Sequence, residues 1–197
     1  MAPPIVAIVG RPNVGKSSLL NCIAGKRIAI VDAMPGVTRD RISVTCELPG
    51  RGGGGYFELV DTGGIGIDDA GPLTDRIEEQ ISYAIAEARL ILFVVDAREG
   101  IAPLDRKVAE KLRPQDRPVL LVANKVDLAK LTGETGELHS LGFGPPIAVS
   151  ASHWRNIDVL LEAIGRALGE AAAQAPAQPV MKLAVVGKRN SGKSTFI

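Results

Sequence analysis

The sequence predicts an α/β fold: a mostly parallel, doubly wound sheet with helices on both faces. Three observations carry that prediction. Short apolar runs alternate with amphipathic stretches, the pattern of parallel strands covered by helices. A glycine-bearing turn, Gly10–Ser17, separates the first apolar run from the first helical stretch. Two later runs, Leu90–Val95 and Pro118–Ala123, are apolar enough to be buried strands and flank another helical stretch.

Taken in order, Ile5–Val9 is a strand, and Lys16–Ala24 a helix with Leu19, Leu20 and Ile23 on one face. Ile42–Leu48 and Tyr56–Val60 read as a hairpin, because Pro49, Gly50, Arg51 and the glycines 52–55 between them tolerate tight turns. Thr74–Ala88 is helical, with Ile77, Ile81, Ala84, Ile85 and Ala88 recurring at three and four residues. Leu90–Val95, a helix over Leu104–Leu112, and Pro118–Ala123 follow. Ile147–Val149 is a last short strand, and a helix runs from about Asn156 to Leu168.

This places one domain in residues 1–168. Residues 169–180, GEAAAQAPAQPV, have linker composition, or alternatively extend the preceding helix until Pro176 stops it. The segment 181–197, MKLAVVGKRNSGKSTFI, copies PPIVAIVGRPNVGKSSLL. It is expected to be the truncated start of a second domain (strand and loop only), since a whole one needs on the order of 150 residues. Such a fragment is expected to be poorly ordered, or to pair opportunistically as a strand through Leu183–Val186, and to hold no nucleotide of its own.

Composition narrows the class. Hydrophobic residues make up 46% and charged residues 23% of the 197, as in soluble globular proteins. The formal charge is +1, but Lys182, Lys188, Arg189 and Lys193 lie beyond Met181 with no acidic residue among them. The body before them is therefore mildly acidic, and binding to DNA through its phosphate backbone is not expected. No run approaches a membrane span, and no basic region precedes the first apolar run as in a secretory leader, so the expected location is the cytoplasm. Cys22 and Cys46 form no disulfide framework or zinc pattern; His139 and His153 read as surface residues, and Trp154 as packing beside a helix start.

The chemistry lies in the turns. Gly10-Arg11-Pro12-Asn13-Val14-Gly15-Lys16-Ser17, followed by Ser18, fits G-x-x-x-x-G-K-[ST] between a strand and a helix. Its glycines let successive N–H groups face a phosphate, helped by the helix N-terminus. Lys16 is expected to reach β- and γ-phosphates, and the Ser17 hydroxyl to bind Mg²⁺. Asp61-Thr62-Gly63-Gly64 ends a strand: Asp61 would hold Mg²⁺ through water, and the Gly63 or Gly64 amide would sense the γ-phosphate. Thr38 is the candidate second hydroxyl on Mg²⁺, with Arg39 and Asp40 bracing its loop.

Asn124-Lys125-Val126-Asp127 decides the base. The Asp127 carboxylate can accept from both N1–H and the 2-amino group of guanine, and adenine offers neither donor. Lys125 would lie along the base plane, and Asn124 would brace the loop. Ser150, Ala151 and Ser152 would turn backbone amides toward the guanine oxygen. Taken singly, each of these could be an ordinary strand-end turn, with Asp127 a helix cap.

In order and spacing, GRPNVGKSSLLN, DAMPGVTRDR, LVDTGGI and NKVD resemble the Era-like branch of translation-factor GTPases. With the repeated loop, the chain is similar to the Der (EngA) family. That resemblance implies the P-loop NTPase fold and hydrolysis of GTP to GDP and phosphate. It also implies a role in assembling the large ribosomal subunit, although the RNA-binding domain of that family has no counterpart here. The position after the D-x-x-G turn is Ile65, which cannot orient water as glutamine does elsewhere. The resemblance implies a K⁺ ion instead, with Asn13 as its side-chain ligand. His153-Trp154-Arg155-Asn156 stands where the family usually has small residues and glycine.

The leading expectation is a slow, Mg²⁺-dependent GTPase that switches loops 31–40 and 61–73, with Lys16, Asn13, Thr38 and Gly64 serving catalysis. A nucleotide-sensing module with negligible turnover is the alternative. An ATP-dependent enzyme is opposed by Asp127.

Overall fold

The computed structural model describes residues 2–27, 42–49, 55–64, 73–127 and 135–172. Within them, six strands form one sheet: β1 (Ile5–Val9), β2 (Ile42–Glu47), β3 (Tyr56–Asp61), β4 (Leu90–Asp96), β5 (Val119–Asn124) and β6 (Ile147–Ala148). Their order across the sheet is β2-β3-β1-β4-β5-β6. Only β2 runs antiparallel to its neighbour, pairing Ile42 with Asp61 through to Glu47 with Tyr56. The parallel strands all deliver their C-terminal ends to one edge, where ligands bind in open α/β sheets.

Four helices, α1 (Lys16–Arg27), α2 (Leu73–Glu87), α3 (Pro103–Leu112) and α4 (Ile157–Leu168), accompany the sheet. Successive side chains of a strand point to opposite faces, so β1 serves two cores. Val6 and Ile8 pack with Leu19, Leu20 and Ile23 of α1 and Leu160, Leu161 and Ile164 of α4. Ala7 and Val9 join Ile81 and Ala84 of α2 and Val108 and Leu112 of α3 on the other face. β4 is buried at every position. Burying each of these Leu, Ile and Val side chains favours folding by about 1.5–3 kcal/mol. This is the P-loop NTPase fold, with helices on both faces as expected.

Boundaries moved by one to three residues. Three strands extend one residue, to Asp61, Asp96 and Asn124, because their polar side chains are buried at the sheet edge rather than in loops. Helix α1 continues to Arg27 beyond the Ala24 expected, since nothing in Gly25-Lys26-Arg27 forbids another turn. A 3₁₀ turn over Thr135–Leu141 was not legible in the sequence; it buries Leu138 and Leu141 in the second core. Another 3₁₀ turn, Gly169–Ala171, follows α4. Thr38, Arg39, Asp40, Ile65 and the segment 181–197 lie outside the described residues, as do the hairpin tip and most of the expected linker.

No described helix is long and apolar enough to cross a membrane. Among the described residues neither cysteine is in a disulfide, and both are buried. Burial alone pushes the Cys46 thiol up to about 12.

Candidate functional site

The turn between β1 and α1 is shaped by its glycines. Gly15 has φ +93°, and a Cβ there would lie 2.4 Å from Asn124 Nδ2. A Cβ on Gly10 would meet the Val94 carbonyl oxygen at 2.4 Å. Both positions therefore exclude side chains, one by backbone conformation and contact, the other by contact with main chain. The Lys16 Nζ donates to the carbonyls of Gly10 at 2.8 Å and Arg11 at 3.0 Å, across the mouth of the turn. Burial lowers the pKa of this ammonium, and neighbouring Asp61 opposes that shift while Arg11 adds to it.

The end of β3 comes to the start of α1. Ser17 Oγ donates to Asp61 Oδ2 at 2.6 Å, and Gly63 N–H donates to Asp61 Oδ1 at 2.8 Å. Thr62 Oγ1 donates to the Ile8 carbonyl at 2.5 Å and fixes the strand end to β1. Asp61 itself is almost wholly buried. Gly64 closes the short 3₁₀ turn that follows. The Ser17 hydroxyl and Asp61 carboxylate thus offer hard oxygen donors side by side, the set a Mg²⁺ ion favours.

From the end of β5, Asn124 joins two other loops. Its Nδ2 donates to the Val14 carbonyl at 2.9 Å, and its Oδ1 accepts from Ala151 N–H at 3.1 Å. Lys125, at φ +67°, donates from Nζ to the Asn13 carbonyl at 2.6 Å and pairs with Asp96 Oδ2 at 2.7 Å. Asn13 also has positive φ, +66°, and its side chain is exposed. Asp127 Oδ1 accepts from Ser150 Oγ at 2.6 Å. The amides of Ser150 and Ala151 are directed to the Arg155 carbonyl and to Asn124, so two of the three amides expected to face a base are used within the protein.

Sequence reasoning missed the surroundings of Asp127. His153 Nδ1 lies 3.1 Å from its Oδ1, Arg155 donates to its carbonyl at 3.0 Å, and Arg98 contacts its Oδ2. His153 is exposed, as expected, yet it belongs to this cluster. Asp96 offered a signal: a carboxylate closing six apolar residues at a sheet edge needs partners. Arg11 also reaches away from its loop, to Glu99 at 2.5 Å and to Asp105 Oδ2 at 3.3 Å. Among the described residues, no group of histidine, cysteine and carboxylate side chains forms a metal cluster.

Residues 5–125, which include most of these turns, match the family described as 50S ribosome-binding GTPase. The chain belongs to that family. It is 48% identical to GTPase Der of Rhodopirellula baltica over its whole length, covering 43% of that protein. Among solved structures, a point variant of Aquifex aeolicus Era bound to GDP.AlF4- superposes with a TM-score of 0.68 at 31% identity, over 93% of this chain and 63% of that one. Era in complex with MgGDPNP and nucleotides of 16S ribosomal RNA gives 0.63 at 29% identity, over 91% of this chain and 59% of that one. The chain spans less than half the length of the curated relatives it matches. The similarity to the Der family read from the motifs is borne out, and the family match runs from β1 to the end of β5, with Asp127 and the Ser150–Ser152 turn beyond it.

Proposed function

We propose that this chain binds guanine nucleotides with Mg²⁺ and hydrolyses GTP to GDP and phosphate at the sheet edge just described. The observation that supports this most is the joining by Asn124 of the phosphate-type loop at Val14 to the loop at Ala151 beside Asp127. A phosphate site and a purine-selecting carboxylate are thereby held in one frame.

In this reading, the amides of residues 10–18, including Gly10, Asn13, Val14, Gly15 and Ser18, enclose the phosphates. Lys16 exchanges its two carbonyl partners for the β- and γ-phosphate oxygens. Ser17 and Thr38 would hold Mg²⁺ directly, and Asp61 through water. When bound, that ion offsets the charge shared between the β- and γ-phosphates as the bond between them breaks. Gly64 offers its amide to the γ-phosphate. Asp127 accepts from the N1–H and 2-amino groups of guanine, Lys125 lies along the ring, and the turn Ser150, Ala151, Ser152 flanks the base side, with the Ser150 and Ala151 amides kept on their protein partners. K⁺ beside Asn13 would supply charge stabilisation in place of the missing glutamine. Turnover should then be faster in K⁺ than in Na⁺, and Asn13→Ala should erase the difference.

The family description, 50S ribosome-binding GTPase, supports contact with the large ribosomal subunit; we propose that the contact serves assembly of that subunit, and we place that work in the cytoplasm. We read residues 169–180 as a linker and 181–197 as the start of a second domain of the same kind.

Calorimetry of the chain with Mg²⁺ tests the proposal: GTP and GDP should bind, ATP should not, and Asp127→Asn should weaken guanine binding by on the order of a hundredfold. Equal affinity for GTP and ATP would overturn it. Single-turnover hydrolysis separates an enzyme from a module that only senses nucleotide.

A further inference from the structure

Arg98 lies in the turn after β4, outside all the sequence motifs, with its side chain half-exposed. Asp96 sets its position. One Asp96 oxygen accepts the Arg98 N–H at 2.9 Å, and the other pairs with Lys125 at 2.7 Å. A single buried carboxylate thus ties the Arg98 turn to the Asn124–Asp127 loop, across the parallel pairing of β4 with β5.

The Arg98 guanidinium meets Asp127 Oδ2, while Ser150 and His153 occupy the Oδ1 side and Arg155 holds the main-chain carbonyl. The chemistry of that contact is specific. One guanidinium nitrogen meets that oxygen, and the N1–H and 2-amino edge of guanine brings N–H donors of the same kind to a carboxylate. The charged side chain and the base therefore compete for one acceptor.

We propose that Arg98 is an affinity-setting residue: it occupies Asp127 as an internal substitute for the guanine edge and must withdraw for the base to enter. This rests on the reading of Asp127 as the base-selecting residue. A protein whose competent form is only a fraction of the free population binds with an affinity reduced by that fraction. Arg98 lowers the fraction. Guanine returns N–H donors to Asp127 in place of those it displaces; the cost of withdrawing Arg98 is common to both purines, and selection between them stays with Asp127 itself.

The test compares GDP binding, with Mg²⁺ present, by the whole chain and its Arg98→Ala and Arg98→Lys variants. Arg98→Ala should bind roughly three- to tenfold tighter, within the modest range of a partly exposed ion pair. The gain should appear in the association rate, because the competition is confined to the free protein. Arg98→Lys, which keeps the charge but loses the guanidinium, should fall between the two and keeps the proposal testable if the alanine variant is poorly folded. The gain should shrink as salt screens the pair, and it should vanish in an Asp127→Asn background. Unchanged or weaker binding by Arg98→Ala, or a gain that survives Asp127→Asn, would overturn the proposal. Failure of every form, the unaltered chain included, to bind GDP would instead overturn the reading of the site.

Discussion

The Asn124 side-chain amide donates to the Val14 carbonyl at 2.9 Å, so a residue at the end of β5 supports the turn between β1 and α1. Its oxygen holds Ala151, and the residue is 1% exposed. Asn124→Ala leaves a buried carbonyl and a buried amide without partners. Such groups cost about 1–3 kcal/mol each when unsatisfied. The variant should lose about 2–4 kcal/mol of stability, measurable by urea unfolding. A loss below roughly half a kcal/mol would show that these loops are held by other contacts.

The Arg11–Asp105 pair leads to a dependence on pH. Asp105 is fully buried at the start of α3, where its Oδ2 accepts the Ala102 N–H at 3.0 Å and pairs with Arg11. Its Oδ1 has no hydrogen-bond partner among the described residues. Burial raises its pKa, against the lowering effects of the Ala102 hydrogen bond and Arg11. An acid with a raised pKa holds its proton more tightly when folded, so its contribution is present at low pH and is lost as pH climbs from about 4 through the raised value. Asp105→Asn cannot titrate. Denaturant melts across that window should show the stability difference moving in favour of the asparagine variant as pH rises; a difference independent of pH would contradict the assignment.

Trp154 provides a reporter for the same edge. It is the single tryptophan of the chain, with φ +56° and a half-exposed ring. A Cβ on Gly25 would lie 2.8 Å from its Cη2, so the ring rests on α1. Its neighbours in the chain, Ser150 and His153, are the residues that flank Asp127 Oδ1. Nucleotide entry that shifts this loop should change tryptophan emission on addition of Mg²⁺ and GDP. Trp154→Phe should lose the signal and keep nucleotide affinity within about twofold, since an exposed-site change of this kind is worth under roughly half a kcal/mol. Emission unaffected at saturating GDP would mean that the loop stays fixed.

Much of this was legible in the residues. The strand runs, helix faces and turn motifs are local patterns, and the structure brings Ser17 to Asp61 and Ser150 to Asp127 as their positions at strand ends imply. What escaped was contact across unrelated turns. Nothing near Arg98 in the chain announces Asp127, and nothing near Arg11 announces Asp105; both pairings arise from the sheet order, which sets β4 between β1 and β5. The 3₁₀ turn at Thr135–Leu141 escaped for a different reason: Gly136, His139 and Ser140 carry no helical periodicity, and the turn is held by burial of Leu138 and Leu141 and by Arg113 donating to the Leu141 carbonyl at 3.0 Å.

Cys46 gives the sheet margin a clock. The residue belongs to β2, which among the described residues has a neighbouring strand on one side only, and its thiol is fully enclosed and resists ionising. An alkylating reagent can reach that sulfur only when the strand lifts away. The rate of covalent labelling at this position, separated from Cys22 by peptide mass, therefore counts how often the hairpin peels from the rest of the sheet.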